Sequence, residues 1–146
     1  MEIKWSDSLS VGHPTIDSQH KELVRRIAKL VDLINSGNIT NEEMVEVLGF
    51  IADYTDEHFS TEEKMMKQTD YPEYDMHRQQ HLWFMNEVNE LIKEYIINGV
   101  SDKLLKDIQR VLIDWLVGHI TGTDKKLGAY LMEKGVIAPK DTGQEK

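Results

Sequence analysis

Apolar positions recur along most of the chain at intervals of three and four residues, the spacing that puts them on one face of a helix. This pattern predicts four amphipathic helices. We call the face of each helix that these positions form its seam. The seam of the first helix consists of His20, Leu23, Val24, Ile27, Leu30, Val31 and Ile34. The second comprises Met44, Leu48, Ile51, Thr55, His58, Glu62 and Met65. The third and fourth comprise His77, His81, Phe84, Val88, Leu91 and Tyr95, then Leu105, Ile108, Leu112, Trp115 and His119.

Residues that start or stop helices lie between these seams. Gly37 and Gly99 end the first and third helices, and Thr40 with Glu43 matches a capping box at the start of the second. Pro72 ends the second pattern because it cannot continue a helix. Four elements of about 18 to 26 residues, roughly 30 to 40 Å long, joined by short loops, predict an all-α fold. The architecture expected is an up-down-up-down antiparallel four-helix bundle.

The remaining segments are assigned around this bundle in one domain, 1–146. We expect an N-terminal arm at 1–15 anchored by Trp5, the bundle at about 16–120, a short C-terminal helix at about 123–134 and a fraying polar tail at 138–146. His13 precedes Pro14 and lies on no seam, so it is expected to be a surface residue.

Composition and charge exclude several kinds of protein. The 146 residues contain 17 Lys and Arg against 26 Asp and Glu, and the net charge of −9 repels nucleic acid and anionic lipid. Cysteine is absent, so thiolate metal sites, iron–sulfur clusters and thiol nucleophiles are excluded. No run of apolar residues is long enough for a membrane span, and the first residues do not resemble a signal peptide. We expect a soluble cytoplasmic protein without membrane insertion.

Polar residues on the apolar seams need partners, because burying a polar group alone costs several kcal/mol. His58 with Glu62, and His77 with His81, are four residues apart. Each pair therefore projects its donor atoms to the same side of its helix. One such pair alone is usually an ordinary surface pair, but several on facing helices indicate a metal site.

The fourth helix contains a step of five residues between His119 and Asp124. On a regular helix this step separates two side chains by about 140°. Gly118 directly before the step and Gly122 within it offer a permissive backbone. We therefore predict a kink, a bulge or a break that turns Asp124 toward the other polar residues.

Seven candidate metal ligands result, five imidazoles and two carboxylates, and they exceed what one tetrahedral zinc can use. They suit two six-coordinate ions with bridging carboxylates, either iron or manganese, with zinc as a contaminant. The candidates are His20, His58, Glu62, His77, His81, His119 and Asp124. The Glu-x-x-His motif of ferritin-like oxidases is absent. A ligand set rich in neutral imidazole favours the ferrous state, and so suits reversible dioxygen binding better than strong oxidation.

The ordered set of these motifs, from Trp5 to about Met132, resembles the hemerythrin family in its single-domain bacterial form. The motifs are Ile16-Asp17-Ser18-Gln19-His20, His58-Phe59-Ser60-Thr61-Glu62-Glu63, His77-x3-His81 and His119-x4-Asp124. The resemblance implies two non-haem iron ions per chain with a bridging oxo or hydroxo group. It assigns His77, His81 and His119 to a saturated iron, His20 and His58 to an iron with an open position, and Glu62 and Asp124 to both.

A binding site for dioxygen should be dry, because water and protons would leave the irons oxidised. Leu23, Phe59, Trp115, Leu116 and Ile120 lie next to candidate ligands along their helices. We expect them to line the oxygen pocket, with Leu116 and Phe59 the strongest candidates. Ordinary core packing would explain any one of them equally well.

The resemblance implies reversible dioxygen binding by an oxygen carrier, store or supplier rather than an enzyme. A redox enzyme acting on peroxide, nitric oxide or ferrous iron remains an alternative, because it would use the same ligands. An oxygen or redox sensor is a third possibility and would work through a separate protein partner, whose identity the sequence does not indicate.

Overall fold

The computed structural model describes residues 1–139, and within them there are four long helices and no strands. The first three are α1 (Pro14–Ser36), α2 (Asn41–Gln68) and α3 (Tyr74–Asn98). The fourth, α4 (102–133), consists of the consecutive segments Asp102–Asp107, Ile108–Trp115, Leu116–His119, Ile120–Asp124 and Lys125–Glu133. Short loops join neighbouring antiparallel helices, so the predicted four-helix bundle is confirmed. Positions 140–146, most of the expected polar tail, lie outside the described residues.

Local sequence explains several of the helix ends. Thr40 and Glu43 form the predicted capping box, in which each side chain accepts a hydrogen bond from the backbone of the other. Gly37 ends α1 with a φ of 72°, a left-handed conformation that glycine adopts without a steric penalty. Ser101 caps α4 by accepting a hydrogen bond from the Leu104 amide at 3.1 Å.

The fourth helix contains two π-helical stretches, Ile108–Trp115 and Ile120–Asp124. The second confirms the bulge predicted between His119 and Asp124. The C-terminal segment expected at about 123–134 is observed at Lys125–Glu133, and it continues α4 directly through this π-helical turn. No helix within 1–139 is long and apolar enough to cross a membrane.

The N-terminal arm packs against the start of α1 and the last part of α4. Asp17 anchors it by accepting hydrogen bonds from the Val11 amide at 2.8 Å and the Ser10 hydroxyl at 2.6 Å. Gly128 of α4 lies so close to the arm that a Cβ there would be 2.5 Å from the Val11 carbonyl oxygen. Trp5 is partly buried against the core, in agreement with its predicted role as an anchor.

His13 is not the surface residue that its sequence position suggested. It is fully buried and caps α1, with Nδ1 accepting a hydrogen bond from the Ile16 amide at 3.3 Å. Its Nε2 lies 2.7 Å from the carbonyl oxygen of Val136, to which it donates. The prediction was wrong because the chain after α4 returns to cover this residue, a long-range contact that no local pattern shows.

Candidate metal centre

All seven candidate ligands are buried and converge at one end of the bundle, where α1 and α3 begin and α2 ends. Their ligand atoms form two groups, and within each group all atoms lie within 4.8 Å of one another. The three-histidine group contains His77, His81, His119, Glu62 and Asp124. The two-histidine group contains His20, His58, Glu62 and Asp124. The two carboxylates are thus common to both groups.

Asp124 divides its two oxygens between the groups. Its Oδ1 lies 3.0 Å from His77 Nε2 and 3.3 Å from His119 Nε2, both in the three-histidine group. Its Oδ2 lies 3.0 Å from Nε2 of His20, in the two-histidine group. This arrangement is that of a carboxylate placed to bridge two cations.

Glu62 repeats this division on the opposite side of the centre. Its Oε1 lies 3.0 Å from His81 Nε2 and 3.3 Å from His77 Nε2. Its Oε2 lies 3.3 Å from Nε2 of His58. Two carboxylates that each present one oxygen to each group favour a dinuclear centre over two separate sites.

The π-helical turn Ile120–Asp124 brings Asp124 into this cluster. Hydrogen bonds between residues five apart widen the turn, so that the five-residue step from His119 returns to the same face. Gly118 and Gly122 do not adopt a positive φ, and a Cβ at either would contact nothing within 4 Å. Glycine freedom, which the sequence suggested as the cause, is therefore not what allows the turn.

Three imidazoles each donate a hydrogen bond to a side chain on the preceding helix. Each of these acceptor residues is next to a candidate ligand in the sequence. Nδ1 donates in each case, so Nε2 of the neutral ring carries the lone pair that faces the centre. The pairs are His58 with Gln19 at 2.6 Å, His81 with Glu63 at 2.8 Å and His119 with Gln80 at 2.7 Å. The sequence analysis did not predict a role for these three acceptors. Their positions directly next to candidate ligands could have indicated one.

Burial and neighbouring charges have opposite effects on the pKa values of the cluster. Burial disfavours protonated His77, but the carboxylates of Asp124 and Glu62 outweigh burial and raise its pKa to about 10. At His58 burial prevails and lowers the pKa. The pKa of Asp124 and that of Glu62 fall well below the usual range, since the surrounding imidazoles overcome burial. Both carboxylates are therefore charged and able to bind cations at neutral pH.

The buried donor atoms fit a metal pair better than they fit one another. Among the buried side-chain atoms that have no hydrogen-bond partner within 1–139 are Nε2 of His20, His58, His81 and His119, Oε2 of Glu62, and both carboxylate oxygens of Asp124. Unpaired buried polar atoms are costly, and seven at one point are not accounted for by the protein's own hydrogen bonds. Cations that accept lone pairs from these atoms would satisfy all of them.

Two of the five predicted pocket residues contact imidazoles of this centre. The Phe59 ring stacks on His81 with centroids 3.7 Å apart, and the Trp115 ring stacks on His119 at 4.8 Å. Leu23, Leu116 and Ile120 are completely or almost completely buried. Trp83 is 40% exposed and packs against Trp115.

The fold and the centre together define an α-helical metalloprotein with a dinuclear histidine and carboxylate site. Residues 11–131 match the family model of the hemerythrin HHE cation binding domain, and the chain belongs to the hemerythrin family. The expected cofactor, a pair of non-haem iron ions, is that of this family.

Individual relatives agree with the family match. The bacteriohemerythrin of Campylobacter jejuni serotype O:2 is 30% identical over 128 residues, which cover 86% of this chain and 92% of that protein. The bacteriohemerythrin of Pseudomonas paraeruginosa is 31% identical over 125 residues, covering 84% of this chain and 76% of the relative. The myohemerythrin of Theromyzon tessulatum is 28% identical over 123 residues, covering 84% and 88%.

Proposed function

We propose that the chain binds dioxygen reversibly at a di-iron centre, as an oxygen carrier, store or supplier. The unequal division of imidazoles supports this proposal. Both groups share Glu62 and Asp124, but one has three histidines and the other two. The cation in the two-histidine group would have one protein ligand fewer, and a small molecule could bind at that position.

The proposed ligands follow the two groups. His77, His81 and His119 would hold one iron, and His20 and His58 the other, with Glu62 and Asp124 bridging them. The two ferrous ions, when bound, would supply the binding site for dioxygen and the electrons that its binding requires. The residues of the chain then have three tasks: to orient the imidazoles, to exclude water and to withhold protons.

The buried end of the bundle offers no spare acid or base for a proton-transfer reaction. Within 1–139, the fully buried charged or imidazole side chains are the seven candidate ligands and His13, which is committed to capping α1. Tyr71 lies near His77, but burial and the negative charge of Glu73 raise its pKa to about 12, so it stays protonated. This arrangement favours binding over enzymatic turnover.

Apolar side chains next to the ligands would cover the centre from the middle of the bundle. Leu23 follows His20 by three residues and Leu116 precedes His119 by three, and antiparallel packing puts both at one level. Both are at most 1% exposed. A dry cover of this kind would slow the entry of water and protons to bound dioxygen.

The test is to load the metal-free protein with ferrous iron without oxygen, add dioxygen, and record the visible spectrum. We expect an absorption band that disappears when dioxygen is removed and returns when it is added again, over repeated cycles. A single irreversible change, with sustained consumption of peroxide, nitric oxide or ferrous iron, would contradict the proposal and favour an enzyme. A cytoplasmic location and the absence of a nucleic-acid partner stay predictions.

A further inference from the structure

Thr55 is a buried polar residue that the dinuclear centre does not account for. It lies on α2, is 0% exposed, and its hydroxyl has no hydrogen-bond partner within 1–139. A buried hydroxyl left unpaired costs free energy, and an apolar residue of the same shape would avoid that cost. Its presence on an otherwise apolar part of the seam therefore points to a partner from outside the protein.

Other threonines in or directly after the helices show how this hydroxyl could have been satisfied. Thr61, Thr69 and Thr121 each donate to the backbone carbonyl four residues earlier, at 3.1, 2.9 and 2.8 Å. Thr55 does not make this bond to its own helix. Its hydroxyl remains available to a group inside the bundle.

Thr55 lies one helical turn from a ligand of the centre. It precedes His58 by three residues and lies on the same face of α2. Because neighbouring helices are antiparallel, residues one turn from a ligand toward the α1–α2 loop form a layer over the centre. That layer consists of Leu23, Thr55, Phe84 and Leu116, all at most 1% exposed. Thr55 is the polar member of the layer.

The ligand nearest to Thr55 along α2 indicates which half of the centre Thr55 adjoins. His58 belongs to the two-histidine group, the one with fewer protein ligands. The hydroxyl is thus one helical turn from the half of the centre where an external ligand would bind. A hydroxyl keeps its proton at all physiological pH values, so it can donate to a ligand there without releasing a proton.

We propose that the Thr55 hydroxyl donates a hydrogen bond to a small ligand at the two-histidine iron, and so selects ligands whose free end accepts one. Dioxygen and small anions such as azide have such an acceptor atom. This inference rests on the proposed function, which supplies the iron, and assigns to Thr55 the polar contact in an otherwise apolar pocket.

Azide binding to the iron-loaded, oxidised protein tests the contact. Thr55→Val removes the hydroxyl at nearly constant shape and should weaken azide binding roughly tenfold, the effect of losing one hydrogen bond. Thr55→Ser keeps the hydroxyl and should stay close to the wild type. Thr121→Val, which removes an exposed hydroxyl of α4, is the matched control and should change nothing.

Two further measurements do not depend on affinity. The infrared stretch of bound azide should shift on transfer from H2O to D2O in the wild type and in Thr55→Ser, but not in Thr55→Val. The metal-free Thr55→Val protein should be at least as resistant to denaturant as the wild type, because a methyl group replaces an unpaired hydroxyl. A less stable variant with unchanged azide affinity and spectrum would show that the hydroxyl is bonded within the protein, which would overturn the proposal.

The wild-type protein separates this inference from the function on which it rests. Failure of the wild type to take up iron or to bind either dioxygen or azide would refute the proposed function and the role of Thr55 together. Normal binding by the wild type, combined with equal affinity and an equal isotope shift in Thr55→Val, would refute the role of Thr55 alone.

Discussion

The two halves of the centre share their carboxylates but differ in how firmly the protein holds their imidazoles. In the three-histidine group, His81 is stacked on Phe59 and donates to Glu63. His119 is held in the same manner by Trp115 and Gln80. An aromatic face and a hydrogen bond together leave these two rings little freedom. The third ring of the group, His77, lacks such an acceptor, because its Nδ1 has no hydrogen-bond partner within the described residues.

The two-histidine group is held less firmly. His58 donates to Gln19, but neither nitrogen of His20 has a hydrogen-bond partner within the described residues. The acceptors on α1, α2 and α3 each orient a histidine of the next helix, and α4 provides no such acceptor to His20. Thr123, next to Asp124 on α4, donates instead to Gln80 at 2.9 Å. A dinuclear site can thus combine a fixed half with a half that adapts to an incoming ligand.

Substitution of Asp124 should have the largest effect, because this carboxylate serves both halves. We expect Asp124→Asn to reduce the iron content from about two per chain to less than one and to lower the melting temperature. Elemental analysis and thermal unfolding measure these changes. Asp114→Asn, on the exposed side of α4, is the control. A fully loaded Asp124→Asn protein would show that the carboxylate does not bridge.

Removing one imidazole from each half should distinguish the two groups. His77→Ala removes a donor from the more firmly held group and should abolish stable metal binding. His20→Ala leaves that group complete and should retain about one iron per chain. Gln79→Ala, on the exposed face between two ligands, serves as control; His13→Ala does not, because His13 caps α1. Equal iron contents in both histidine variants would remove the distinction between the halves.

The metal-free protein should lose stability as pH rises. The folded-state pKa of His77 is raised to about 10 from 6.5, so its contribution is fully present below pH 6.5 and is lost as pH approaches 10. His77 alone makes a difference of up to one proton between the two states in this window, which raises the unfolding constant by up to about tenfold per pH unit. The raised pKa values of His20 and His81 act in the same direction. Denaturant unfolding of chelator-treated protein measures this slope, and His77→Gln should flatten it.

The iron-loaded protein should show the opposite dependence on pH. Ligating imidazoles must be neutral, and protons compete with metal increasingly below about pH 6.5. Acidification should therefore release iron and lower stability, which metal analysis after gel filtration at each pH would detect. Iron retained well below the pKa of free carboxylic acids would contradict the ligand assignment.

Leu116→Ala should have the smallest effect on metal content, because it removes no ligand. The side chain is 1% exposed, and its truncation should cost about 2 to 5 kcal/mol of stability. If Leu116 covers the less firmly held half, the oxygenated protein should decay faster to the oxidised form. Stopped-flow decay rates at equal iron loading test this expectation, and Val111→Ala, buried in the same helix farther from the ligands, is the control. Equal decay rates would leave Leu116 an ordinary core residue.

Local sequence was sufficient for much of the fold and for the candidate ligands. The capping box at Thr40 and the left-handed Gly37 act over a few residues, so their patterns could be interpreted without tertiary information. The four-residue spacing of His58 and Glu62 likewise follows from the helical period alone. Even the irregular turn before Asp124 was predictable, because a regular helix could not bring that carboxylate to the centre.

The helical period determined which face of each helix each residue occupies, and with it the composition of the centre. Tertiary packing decided what lies opposite that face. The division of the oxygens of Asp124 between two groups, the acceptors of three imidazoles and the burial of His13 depend on distances between helices or on the return of the chain after α4. The unpaired hydroxyl of Thr55 depends in addition on a side-chain rotamer. A periodic pattern does not encode these distances, because they result from the simultaneous packing of side chains from all four helices.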